Sequence, residues 1–142
     1  MFARTAFSAL VFSIAAVAFA PAARADEPKA DAKQIEAQLE KLLDAYNKDD
    51  VKAFYTGWSK QVEAITTPDV YNALYKLMGK DVVGSYVPKT LKLRKETSVL
   101  DGSVIVVFCD AEFSKEKSGE IAANLNFEDG AYKFVQVQLT KK

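Results

Sequence analysis

From Asp31 to Gly79 the apolar residues recur every three or four positions; from Leu91 to Leu139 they alternate with polar ones. The first half therefore reads as helices. Asp31 can cap a helix whose stripe is Ile35, Leu39, Leu42, Leu43 and Tyr46, running to Asn47. After Asn47-Lys48-Asp49, Asp50 can cap again, and Val51, Phe54, Tyr55 and Trp58 predict a short second helix. Thr67-Pro68 opens a third, with Val70, Leu74, Leu77 and Met78 as its stripe and Gly79 as its stop. Leu91–Val99, Val104–Phe113, Ile121–Phe127 and Tyr132–Leu139 read as four antiparallel strands, joined by "DG" at 101–102, "KEKSG" at 115–119 and "DG" at 129–130. Val82–Val87 fits either a short strand or an extended connector.

Strand register decides which side chains meet the helices. A bare two-residue turn at Asp101-Gly102 would set Leu91 against Glu112 and Leu93 against Asp110, two leucines facing two acids. A three-residue loop with a bulge at or beside Gly102 instead groups Leu91, Leu93, Ile105, Val107, Cys109, Ala111 and Phe113, with Lys92 and Arg94 near Asp110 and Glu112 on the other face. That register is preferred. It buries Cys109 and turns Asp110 outward. It also strands Val104, Val106 and Phe108 on the outer side of the sheet. On the last strand the alternation slips at Phe134-Val135, as a bulge produces, and Phe134 is counted with that outer patch. Such a patch marks an interface, so a homodimer, or a protein partner docked on the outer face, is expected there.

Composition then narrows the chemistry. Arg4 precedes an uncharged apolar run from Thr5 to Ala20, broken by Pro21 and followed by Ala23-Arg24-Ala25. This reads as a secretory signal peptide over residues 1–25 with a small-x-small cleavage site. Residues 26–30 then form a flexible tether, residues 31–142 one domain, and the product is exported, periplasmic or extracellular, with no membrane anchor after cleavage. Arg4 and Arg24 leave with the signal, so 17 basic side chains face 19 acidic ones. With Arg94 as the only remaining arginine, no basic surface is expected for nucleic acid. The chain has one cysteine and no histidine. No intramolecular disulfide, no metal site and no cofactor is expected. The acid pairs Asp49-Asp50 and Glu128-Asp129 sit where turns and caps want acids.

Helices first, with "LLDAYNKDDVKAFYTGW" linking the first to the second, then a meander ending in "DGAYKFVQVQL", is an order that resembles the nuclear-transport-factor-2-like superfamily, which includes the ketosteroid isomerases. The resemblance covers about residues 31–140. It implies an α+β fold: three N-terminal helices packed on a strongly bent four-stranded antiparallel sheet, cone-like, with a cavity between them. Members of such a class include enzymes, binders and interaction modules, so fold does not fix function. Three functions stand open. A non-catalytic module would bind a small apolar ligand, through Phe54, Tyr55, Trp58, Tyr71 and Tyr75 as pocket lining, or a protein partner. An isomerase- or dehydratase-like enzyme would use a cavity acid with Tyr donors. A structural or oligomerising domain would bind nothing. The outward Asp110 disfavours the enzyme, and no catalytic residue is assigned.

Overall fold

The computed structural model describes residues 31–142. The signal peptide and the tether expected at 1–30 lie outside the described residues. Helix α1, Ala32–Lys48, starts where the Asp31 carboxylate accepts the Lys33 and Gln34 amides, and ends at Asp49 in left-handed backbone. It buries Ile35, Leu39, Leu42, Leu43, Ala45 and Tyr46, the expected stripe. Asp50 caps α2, but α2 spans only Val51–Phe54. The expected helix through Trp58 stops early because the chain turns to pair with the last strand. Phe134 N–H donates to Gly57 O, and Ser59 N–H to Phe134 O. Ser59 then caps a 3₁₀ segment, Lys60–Ile65, and Thr67 caps α3, Pro68–Tyr71, which continues as a wider π-helical stretch, Asn72–Lys80.

This last helical arm differs from expectation in the face it buries. Its expected stripe of Leu74, Leu77 and Met78 is 45%, 61% and 62% exposed, while Tyr71, Tyr75 and Gly79 are buried. Both faces are apolar, and the tyrosines win because their hydroxyls find partners inside. Tyr71 Oη donates toward Tyr46 O and the Asp49 carboxylate; Tyr75 Oη donates to Val137 O at 2.7 Å. Gly79 fits beneath Tyr46, where a Cβ would stand 3.1 Å from the phenol oxygen.

The sheet is four-stranded, antiparallel and ordered β1-β2-β3-β4: Lys92–Val99, Val104–Phe113, Glu116–Glu128 and Ala131–Lys141. It does not close into a barrel. β3 begins five residues earlier than expected, which shortens the "KEKSG" link. The final hairpin turns on Asp129 and Gly130, both at positive φ, as a two-residue turn of right twist requires. Val82–Val87 is a connector touching the sheet at one bridge, Tyr86 to Phe113.

Between β1 and β2 both candidate registers occur. Leu93 faces Cys109 and Lys92 faces Asp110, as expected, but beyond a slip at Arg94 the pairing becomes Lys95 with Phe108 and Val99 with Val104. The bulge is therefore at Arg94 rather than beside Gly102. The connection is a 3₁₀ turn over Leu100–Gly102, closed by Ser103 N–H on Leu100 O. Past the slip Glu96 and Ser98 lie opposite Val107 and Ile105, and this end of β1 runs exposed beyond the helical cover. The core between sheet and helices gathers the α1 stripe, Phe54, Tyr71, Tyr75, Ile105, Val107, Cys109, Phe113, Ile121, Leu125 and Phe134.

Candidate functional site

The five aromatic residues singled out as pocket lining do meet, but they fill the space themselves. Phe54 lies at its ring's centre 5.0 Å from Tyr71, 4.6 Å from Tyr75 and 5.8 Å from Trp58; Tyr55 stacks edge-on against Trp58 at 5.0 Å. Phe54 and Tyr71 are 1% and 0% exposed. Burial pushes the Tyr71 and Tyr75 hydroxyls well above the usual tyrosine range, so both are neutral donors at physiological pH.

Tyr55, Trp58 and Tyr75 also form the floor of an open groove of about 690 Å³ between the Asn72–Lys80 stretch and β4. Its walls are Ile65, Val70, Leu74, Leu77, Met78 and Val82 on one side and Val135 to Lys141 on the other. The groove exists because the arm turned its tyrosines inward and left its aliphatic residues out. Among the described residues Lys141 is the only charged one lining it. Below the floor, Tyr55 Oη and Trp58 Nε1 are closed off from solvent and have no hydrogen-bond partner among the described residues. Each such group costs about 1–3 kcal/mol. Sequence reasoning placed Leu74, Leu77 and Met78 in the core and passed over Ile65 and Val82. The signal for the first three was an excess: Asn72–Lys80 carries two apolar faces where one can be buried.

A second groove, of about 730 Å³, runs along α1 past Phe54, Gly57 and Phe134. Glu40, Lys41, Asp44, Lys48, Asp50 and Lys133 line it, a solvated mixture of both signs.

Val104, Val106 and Phe108 are half-buried on the outer face, opposite Val99, Thr97 and Lys95 of β1. Phe134 does not join them. The bulge between β3 and β4 leaves Val135 as the extra residue, so Phe134 faces Leu125 and packs inward against Trp58, 2% exposed. Asp110 faces outward, bonded to Arg94 at 3.1 Å and Lys142 at 2.9 Å. The Lys142 and Arg94 contacts hold its carboxyl below the usual range. Cys109 is buried, and burial pushes its thiol up to about 12. Among the described residues no group of three or more acidic, Cys or His side chains could hold a metal ion, and no helix is long and apolar enough to cross a membrane. Neither the family models, the curated proteins nor the solved structures compared with this chain gave a match.

Proposed function

We propose that this chain is an exported, non-catalytic binding module of the nuclear-transport-factor-2-like, cone-shaped α+β class, holding an apolar ligand in the groove between β4 and Asn72–Lys80. The observation that carries the reading is the gathering of Ile65, Leu74, Leu77, Met78 and Val82, each 43% to 62% exposed, along one groove. A water-facing apolar surface of this kind is unfavourable by roughly 25 cal/mol per Å² and is kept where something covers it. The volume falls in the range of small-molecule sites, and the aromatic floor supplies large, rigid contact surface. A largely apolar ligand carrying an acceptor and reaching under Tyr55 would also satisfy the Tyr55 and Trp58 donors, which have no partner among the described residues.

The test uses N-phenyl-1-naphthylamine, a neutral apolar dye, beside the fluorescence of Trp58, the only tryptophan. The dye should brighten on binding and change Trp58 emission, with Met78→Asp weakening both at least fivefold. Met78 is exposed, so the variant keeps its fold. Dye that ignores the protein, or binds the variant equally well, overturns the reading.

A second reading concerns partners. Val104, Val106 and Phe108 continue into Val99, 42% exposed, and Ala122, and no helix among the described residues covers this face. We propose that two copies pair through it, with Lys92, Arg94, Asp110 and Glu112 at the rim.

A further inference from the structure

β4 is the last strand of the sheet, and its outer edge is closed only in part. Phe134 is engaged by Gly57 and Ser59, and Val137 O by Tyr75 Oη. Lys142 N–H donates to Ser118 O on β3, so the even-numbered residues of this stretch bond inward to the sheet. By the alternation of an antiparallel ladder, Val137, Leu139 and Lys141 turn their N–H and C=O groups outward. Among the described residues nothing bonds to the outward groups of Leu139 or Lys141. These groups border the groove, which Val137, Leu139 and Lys141 line together with Leu74, Leu77 and Met78.

We propose that the groove receives an extended segment of another polypeptide, which adds to the sheet as a fifth strand along β4 over Leu139 to Lys141. This rests on the binding reading above and names the ligand class. Two requirements of strand addition are met side by side. The first is a run of unbonded backbone donors and acceptors at Leu139 and Lys141; the three residues from Leu139, at ~3.4 Å each, offer a docking length of roughly 10 Å. The second is a place for alternate side chains. On an added strand the inward ones come to lie beside Val137 and Leu139, which point inward and are 3% and 8% exposed, and there Leu74, Leu77 and Met78 stand uncovered. Charge sets the third feature of the partner. Lys141 lines the groove, and among the described residues no acid lines it or pairs with Lys141. The segment is thus apolar at alternate positions and acidic beside them.

The probe is a synthetic heptapeptide of alternating valine and threonine flanked by aspartates, with a lysine-flanked version for comparison, added to ¹⁵N-labelled protein. Binding should slow hydrogen exchange at the Leu139 and Lys141 amides at least tenfold while leaving β1 amides unchanged. The lysine-flanked peptide should bind at least fivefold more weakly. Met78→Asp and Lys141→Glu, both at exposed side chains, should each weaken the aspartate peptide about tenfold, and native amide spectra of the variants verify their fold. If the neutral dye binds but the peptide does not, or the peptide binds without protecting Leu139 and Lys141, strand addition is overturned and the groove reading stands. If dye and peptide both fail, both are overturned. Protection of the same amides by protein concentration alone, with no peptide effect, identifies the occupant as a second copy and also overturns the proposal.

Discussion

Asp49 ends α1 in left-handed backbone, φ 53°, and its carboxylate gathers Lys80 Nζ and Tyr71 Oη, both at 3.0 Å. Lys80 also lies 5.0 Å from the centre of the Tyr46 ring. One acid thereby ties the end of α1 to both ends of the helical arm that walls the groove. Burial alone would raise the Asp49 carboxyl, but the hydrogen bonds from Lys80 and Tyr71 and the charge of Lys80 hold it below the usual range. Asparagine tolerates left-handed backbone, so Asp49→Asn removes the charge without straining the turn. The expected loss is roughly 1 kcal/mol, at the low end for a charged hydrogen bond because the Asp49 side chain is 41% exposed. As pH falls, the unfolded chain takes up this proton before the folded one. The contribution is complete above the ordinary carboxylate value of about 4 and is lost as pH drops through the lower folded value. Urea midpoints of both proteins from pH 7 to pH 3 check this: the gap should close toward the acid end, and a pH-independent gap refutes it. Cys109 gives a second residue-scale prediction. Buried and with its thiol raised to about 12, it should react with Ellman's reagent at pH 8 only when the whole protein unfolds. Rapid native labelling would contradict that. Both the buried Cys109 and the outward Asp110 were legible in the sequence, because the register that avoids pairing leucines with acids fixes, by alternation, which face each takes. The Asp49 clamp was not, since its partners lie 22 and 31 residues away.

At the scale of elements, β2 and β3 pass so closely at Gly119 that a Cβ there would stand 2.5 Å from Phe113 Cδ2 and 2.9 Å from Ala111 O. Phe113 is 1% exposed and packed against Tyr86, with no room to withdraw. Gly119→Ala should therefore cost about 1–3 kcal/mol, read as a lower guanidinium midpoint with an unchanged slope; an unchanged midpoint would mean that the strands move apart freely. The helix beginnings were readable, since Asp31, Asp50 and Thr67 each cap where expected. The helix ends and faces were less so. α2 stops at Phe54 for the sake of a bond to Phe134, eighty residues on. The arm from Pro68 to Lys80 chooses its tyrosine face for partners on α1 and β4 that periodicity cannot register. The register of β1 shows the same limit: weighing whole faces favoured one pairing, while the 3₁₀ turn and the Arg94 bulge allow each pairing over part of the strand.

For the whole molecule, two surfaces remain to be covered, the outer sheet face and the groove. Sedimentation separates them. If the outer face pairs two copies, the protein sediments as a dimer at micromolar concentration and Phe108→Glu sediments as a monomer while still binding the dye. A monomer in both samples refutes pairing. The existence of a sheet and helices was written in the chain's two periods, but the groove was not, because it arises from the apolar face left over when the core was full. The two sheet edges differ as well. β1 carries Lys92, Arg94, Lys95 and Glu96 and is broken by a bulge, devices that turn away a neighbouring strand. Among the described residues β4 is open over Leu139 to Lys141. The molecule is thus monovalent as a strand acceptor. A fibre built from copies of this chain needs two receptive edges per subunit so that each addition exposes the next; a copy joined through its own β4 would leave only β1 edges outermost, and growth would end with the pair.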